Sequence, residues 1–290
     1  GFANSLKLDC TTADTSIAAD EQMMIQQRIE GQNLQGFAKG TSDAKPFAVS
    51  FYVKGNASAT YCCELRDQDN NRTAGKLFSV TTDWTRVELT FDADTTGTFD
   101  DDNARSLDLT IFLHAGSDFN DPSGTLQQTF GTRVNGNRAV GISSFFDSTD
   151  RTFFITGVQL EVGQNATEFE HEPFERTLAK CQRYFQLIVE GNQKIISMAH
   201  WAASTEVDFV LHIPPMRARP TLEYTTGNEY WRIGGAGGST NTLDNLNVNT
   251  WSTESNINLW TTTGAGGTAG YASYAYSYNA SAKLGFTAEL

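Results

Sequence analysis

Apolar residues recur at every second position through much of this chain, and that spacing admits few folds. Phe47, Val49, Phe51 and Val53 share one face of a run, Val87, Leu89 and Phe91 do so in a second, and Leu107, Leu109, Ile111 and Leu113 in a third. A period of two places successive side chains on opposite faces of an extended strand, so each run reads as a strand with one face buried. Met23 to Glu30, Tyr61 to Leu65 and Lys76 to Val80 read the same way, separated by polar pieces such as Asp67-Gln68-Asp69-Asn70-Asn71 and Asp92 to Gly97. Many short antiparallel strands joined by polar turns predict an all-β chain with a jelly-roll β-sandwich. Between Arg151 and Val162 the parity changes, with Phe153 and Ile155 on odd positions but Val158, Leu160 and Val162 on even ones. Gly157 sits at the change and predicts a bulge that rotates the strand.

A helical period appears from Phe174 to Ile188, just after Pro173, a residue suited to a first helical turn. Phe174, Leu178, Cys181, Phe185 and Ile188 are spaced 4, 3, 4, 3, a heptad seam of about two repeats. A coil so short is marginal alone. The helix therefore either packs on its own sandwich as a linker or pairs copies of the chain around an axis, and the seam leaves both open. Beyond Gly191 alternation returns at Val207, Phe209, Leu211 and Ile213, and Thr221 to Tyr224, Glu229 to Ile233 and Lys283 to Leu290 read as further strands. The expected organisation is a jelly-roll domain over 1–170, a linking helix over 171–190 and a second, small β-sandwich domain over 191–290. Gly1-Phe2-Ala3 carries neither an initiator Met nor a charged leader, so the chain is expected to begin inside a longer polypeptide.

Charge and residue usage exclude several functions. Thirty-four acids against 21 bases give a net charge of -13, which repels the phosphate backbone that a nucleic-acid binder must neutralise. No apolar run approaches the roughly 18 residues needed to cross a bilayer, so no membrane insertion is expected. Cys10, Cys62, Cys63 and Cys181 show no C-x-x-C spacing and read as buried free thiols; the histidines show no H-E-x-x-H. Neither Gly234-Gly235-Ala236-Gly237-Gly238 nor Gly264-Ala265-Gly266-Gly267 is followed by the Lys-[Ser/Thr] of a phosphate loop, and no G-x-S-x-G elbow occurs. No metal, cofactor or catalytic residue is expected. Asp92-Ala93-Asp94-Thr95-Thr96-Gly97 copies the first half of a calcium loop, but its twelfth position is Asn103 rather than Glu, so it reads as a solvated acidic turn. Asp100-Asp101-Asp102 reads likewise, although paired acids are what a glycosidase opposes across a bond.

The binding chemistry on offer is aromatic. Trp231, Trp251, Trp260, Tyr274, Tyr276 and Tyr278 lie among Asn, Thr and Ser, and the three tyrosines share one strand face. Sugar rings present C–H faces to a π system and hydroxyls to amides and carboxylates, which makes these six the candidate carbohydrate-binding residues. The same rings would equally fill a core or a trimer interface. Trp84 is expected at the edge of the first core.

Phe154-Ile155-Thr156-Gly157-Val158-Gln159-Leu160-Glu161-Val162-Gly163, then Ala166-Thr167-Glu168-Phe169-Glu170 and Cys181-Gln182-Arg183-Tyr184-Phe185, resemble a pattern of bacteriophage tail-fibre and related virion proteins. There a last sandwich strand TGVQLEVG is followed by ATPFE and by a helix holding CQRYY. Ser5-Leu6-Lys7-Leu8-Asp9, Gln27-Arg28-Ile29-Glu30-Gly31 and Phe51-Tyr52-Val53-Lys54 resemble that family's carbohydrate-binding-module-like jelly roll. The resemblance covers about residues 4–188; Met216-Arg217-Ala218-Arg219-Pro220-Thr221 and Ala288-Glu289-Leu290 are similar, more weakly, to the small β domain that often ends such proteins. Glu168 departs from it, standing where the family often has Pro. The resemblance implies a virion structural protein, commonly a homotrimer, assembled in the bacterial host cytoplasm and displayed on the phage particle. It would contact other tail or capsid proteins and a host surface glycan, as a tail fibre or receptor-binding protein without enzyme activity. A capsid decoration or head-fibre protein and a polysaccharide depolymerase are the alternatives.

Overall fold

Alternation is realised as strands nearly throughout. The computed structural model describes residues 2–227, 229–235, 241–243, 245–262 and 267–290; the glycine-rich pieces at 236–240 and 263–266 lie outside the described residues. The chain is all-β, and its contacts divide it into two compact units, Gly1–His171 and Glu172–Glu289.

The first unit holds β1 (Leu6–Asp9), β2 (Gln22–Glu30), β3 (Phe47–Gly55), β4 (Ala59–Asp67), β5 (Arg72–Val80), β6 (Thr85–Phe91), β7 (Arg105–Ala115), β8 (Gly131–Thr132) and β9 (Thr152–Val162). They form two antiparallel sheets, ordered β1-β9-β3-β6 and β2-β7-β4-β5-β8. Successive strands keep changing sheet, β1 to β2, β3 to β4 and β5 to β6, which is the jelly-roll winding. The alternating residues meet between the sheets: Phe47, Val49, Phe51 and Val53 against Tyr61, Cys63, Leu65, Leu107, Leu109, Ile111 and Leu113, all buried. Phe37 stacks on Phe47 at 4.0 Å. Each large side chain so enclosed contributes about 1.5–3 kcal/mol. The bulge expected at Gly157 is present: pairing with β3 jumps from Ser50↔Gln159 to Tyr52↔Thr156, and Gly157 has φ of 61°.

The opposite face of the β7 sheet is largely enclosed too. Phe119, Leu126, Ala139 and Ile142, from the long connection after β7, pack on Cys62 and Phe112, and Arg138 from the same connection pairs with Glu64. The acidic turn at Asp92–Gly97 departs from its reading as solvated. Asp94 is buried, and with Asp67 and the carbonyls of Thr96 and Gly97 it encloses the ammonium of Lys39. The oxygen atoms that would hold a cation there hold a lysine.

The second unit begins with α1 (Phe174–Gln182) and continues as β10 (Phe185–Glu190), β11 (Ile195–Ala203), β12 (Glu206–His212), β13 (Thr221–Tyr224), β14 (Trp231–Gly235), β15 (Asn241–Leu243), β16 (Asn247–Val248), β17 (Asn256–Thr262), β18 (Ala272–Ser277) and β19 (Lys283–Thr287). Sheet β15-β14-β18-β11-β12-β17-β16 faces sheet β10-β19-β13 across a core holding Trp231, Phe209, Leu259, Leu284 and Phe286. This is the second sandwich.

The helix is shorter than the seam required. It ends at Gln182, and Phe185 and Ile188 lie on β10, hydrogen-bonded in a ladder to β19. The physical reason is tertiary. Phe185, Ile188 and Val189 are aromatic and β-branched, and pairing with β19 buries Val189 and Gln186, a gain that an isolated heptad pair does not match. Of the seam, Phe174, Leu178 and Cys181 remain on α1, which buries none of its residues; Phe174 is 75% exposed. Cys10, Cys62 and Cys63 are buried thiols, whereas Cys181 is exposed, contrary to its expected burial.

Candidate functional site

Strand β18 reads Ala272-Ser273-Tyr274-Ala275-Tyr276-Ser277, a small residue alternating with a large one. Ser273, Ala275 and Ser277 point into the core and are buried there, so the tyrosines are driven to the outer face. Tyr274 and Tyr276 lie 5.5 Å apart between ring centroids, and Tyr276 and Tyr278 6.4 Å apart. At these separations each pair adds roughly 0.5–1.5 kcal/mol and holds its neighbour's rotamer.

The neighbouring strands complete the ladder. On β14, Trp231 and Ile233 enter the core while Arg232, opposite Tyr276, turns outward and sets its guanidinium 3.3 Å from the Tyr278 ring centroid. Gly234 stands opposite Tyr274, and a Cβ there would fall 2.6 Å from the phenol Cζ; only glycine lets this ring lie across the adjacent strand. On the other side, β11 pairs Met198 with Tyr274 and Ile195 with Tyr276, and both aliphatic side chains are 69% exposed.

One row further along, Ala272, His200, Asp208, Trp260 and Asn247 stand side by side across β18, β11, β12, β17 and β16. Trp260, half-buried, thus shares the outer face with the ladder at three strand spacings, about 14 Å. The face supplies flat apolar rings beside carboxylate, imidazole and amide groups, the chemistry that a saccharide or a polar protein surface needs.

The structure therefore brings Tyr274, Tyr276 and Tyr278 together and sets Trp260 on the same face. Trp251 sits on the turn after β16, 85% exposed and apart from that row. Trp231 is a correction: it is fully buried, its indole N–H donates to the Thr225 carbonyl at 2.9 Å, and no ligand reaches it. Trp84 is another. It is 47% exposed, packs edge-on against Phe154, and lines an open cleft of about 350 Å³ with Phe2, Asn4, Tyr52 and Thr156. Sequence reasoning missed Arg232, Gly234, Met198 and Asp208. Arg232 was within reach, because it alternates with Trp231 and Ile233; Gly234 was not, since its role depends on a strand over thirty residues away.

No family model and no curated protein matches the chain. Among solved structures it is similar to a chain in the cryo-EM structure of the T=1 Penaeus vannamei nodavirus, at 11% identity over 97% of this chain and 94% of that one, with a TM-score of 0.22. It is also similar to the N-terminal CBM22-1-CBM22-2 tandem domain of Xyn10C from Paenibacillus barcinonensis, at 10% identity over 99% and 91%, with a TM-score of 0.23. At such TM-scores neither likeness carries an argument about this chain.

Proposed function

We propose that this chain is a virion adhesin of the bacteriophage tail-fibre type, which holds a host surface glycan against the tyrosine face of its second unit. The observation that carries the reading is the ladder itself: Tyr274, Tyr276 and Tyr278 stacked at 5.5 and 6.4 Å on the outer face, beside Arg232 and the His200-Asp208-Trp260 row. A contiguous aromatic stripe that a fold leaves outside its core marks an interaction surface. The sequence resemblance to tail-fibre proteins supports the same reading.

Binding would work through a homotrimer on the particle surface, assembled in the host cytoplasm and anchored to other virion proteins. Three linked sites raise avidity by about 10²–10⁴ without new contacts, so a weak site suffices. The unburied face of α1, with Phe174 and Leu178 exposed, supports contact between copies. The protein is proposed to bind and not to cleave.

The test is adsorption of the purified chain to an immobilised panel of bacterial capsular and lipopolysaccharide O-chain glycans. Binding to at least one glycan is expected, and Tyr276→Ala is expected to weaken it tenfold or more while the chain stays folded by circular dichroism, at a thermal midpoint lowered by the loss of its two ring contacts. Equal binding by that variant would contradict the reading. Release of reducing ends from a bound glycan would turn the proposal toward a depolymerase. One observation favours a decoration protein: Ile195 and Met198, beside the ladder, suit an aliphatic protein partner better than a sugar. A folded chain that binds no glycan but is retained on virions lacking it would bear that out.

A further inference from the structure

Three ionisable groups of the first unit are walled off from water together. The side chains of Lys39, in the turn after Phe37, and of Asp67, the last residue of β4, are fully enclosed, and that of Asp94, after β6, is nearly so. Lys39 Nζ lies 2.5 Å from Asp67 Oδ2 and 3.2 Å from Asp94 Oδ2. The rings of Phe99 and Phe130 stand against the same nitrogen, with centroids at 5.1 and 5.9 Å. An ion pair sealed in this way keeps little of the advantage of a salt bridge, because both ions have lost their hydration. In water, condensing an ammonium and a carboxylate to a neutral amide is opposed by the hydration of both ions; here that hydration is already gone.

The surroundings hold the groups that such a condensation uses. Asp67 Oδ1 accepts the Asn70 backbone N–H at 3.0 Å and the Asn70 side-chain amide at 3.3 Å. Negative charge that develops on this oxygen when the carboxyl carbon is attacked therefore meets two fixed donors. Asp94 stands against the lysine nitrogen as a proton acceptor, held there by Arg72 through Nε at 2.7 Å and Nη2 at 2.9 Å. Reactants held at contact distance react as one molecule, with effective molarities of about 10⁵–10⁸ M for well-oriented pairs.

We propose that Lys39 and Asp67 become joined by an isopeptide bond that the folded chain forms on itself, with Asp94 as the proton-transfer group. Asp94 takes one proton from the ammonium, and the freed amine attacks Cγ of Asp67 with its electron pair. The tetrahedral intermediate carries negative charge on Oδ1, opposite Asn70. A second nitrogen proton and the one held by Asp94 pass to Oδ2, which leaves as water when its bond to Cγ breaks. One C–N bond replaces one C–O bond, nothing is oxidised or reduced, and the charges of Lys39 and Asp67 cancel. Arg72 and Asp94 remain as a closed two-pronged pair. The bond spans 28 residues of sequence and ties the β2–β3 connection to the end of β4, restricting the unfolded chain as a disulfide would in a protein whose four cysteines are all free. It does not depend on what the tyrosine face binds.

The experiment is mass spectrometry of the intact, acid-unfolded full chain, followed by digestion with trypsin. The chain is expected to be lighter than its sequence by one water, and the fragments that hold Lys39 and Asp67 are expected to travel as a single branched peptide. Asp67→Ala is expected to have the full mass of its own sequence. In freshly synthesised chain sampled over time, Asp94→Asn is expected to lose the water more slowly by about a hundredfold or more. A parent chain at full sequence mass would overturn the bond and leave Lys39 and Asp67 as a buried ion pair, whether or not the variants fold. A missing water with the two fragments separate would place the dehydration elsewhere and overturn it equally. Bond formation at the parent rate in Asp94→Asn would overturn the role of Asp94.

Discussion

Lys39 shows how far single residues depart from what their surroundings in sequence foretell. Its ammonium is fully enclosed and donates to Asp67 Oδ2 at 2.5 Å and to the carbonyls of Thr96 and Gly97 at 2.9 and 2.7 Å, with Asp94 at 3.2 Å. The Asp92–Gly97 turn was legible as a cluster of cation-seeking oxygens, but its cation comes from a separate loop after Phe37, which no local pattern ties to it. Removing one partner of such a group leaves uncompensated buried charge, so Lys39→Met is expected to cost about 3–5 kcal/mol in urea unfolding. Burial pushes the Asp94 carboxyl up, but the Arg72 and Thr96 hydrogen bonds and the Lys39 charge outweigh it and hold the carboxyl below its ordinary 3.8. With the folded value depressed, the unfolded chain takes up the proton first as pH falls. This stabilisation is therefore complete above the ordinary aspartate range and is lost from about pH 4 downward. Urea midpoints measured between pH 6 and 2 are expected to fall more shallowly in Asp94→Asn than in the parent, and parallel curves would refute the assignment. Thiol chemistry follows burial in the same way. Burial, with Cys63 and Glu64 alongside, pushes the Cys62 thiol up, so an aromatic disulfide reagent is expected to label Cys181 rapidly and the other three only on unfolding.

Strands were legible where apolar residues hold every second position with smaller or polar ones between them, whether one face is buried or both, and obscure elsewhere. β3, β6, β7 and β9 follow the period-two runs, and the parity change at Gly157 located its bulge, because a bulge must shift parity. β11 and β17 were not recognised. Their outer faces carry Met198, His200 and Trp260, which blur the polar half of the alternation, and those outer residues are what make the candidate site. The heptad seam failed for the opposite reason, since a local 4-3 spacing extended into a segment whose backbone is claimed by β19. The connection after β7 gave no periodic signal at all, although it is pinned by the two-pronged Arg138–Glu64 pair. Arg138→Ala leaves Glu64 buried with only Thr73 as donor and is expected to cost about 3–5 kcal/mol. Amide exchange should rise selectively over residues 116–142; uniform exchange would show that the pair does not hold the connection down.

Association of copies is the property of the whole molecule on which the adhesin account leans. The seam that predicted it keeps only Phe174, Leu178 and Cys181 on a nine-residue helix, too short to be stable as an isolated coil, so pairing would need the flanking sandwiches as well. Sedimentation at micromolar concentration is expected to give three times the 31.8 kDa chain mass, with Cys181 labelled more slowly in the trimer than in a dilute monomer. A monomer at that concentration would remove the avidity argument and leave each tyrosine face to act alone. The central claim, that the ladder of Tyr274, Tyr276 and Tyr278 meets a host glycan, is tested most directly by binding of the purified chain to intact bacterial host cells, with their isolated surface polysaccharide as competitor. The account predicts saturable binding that the polysaccharide abolishes. A folded, trimeric chain that does not bind, or whose binding the polysaccharide leaves untouched, would contradict it.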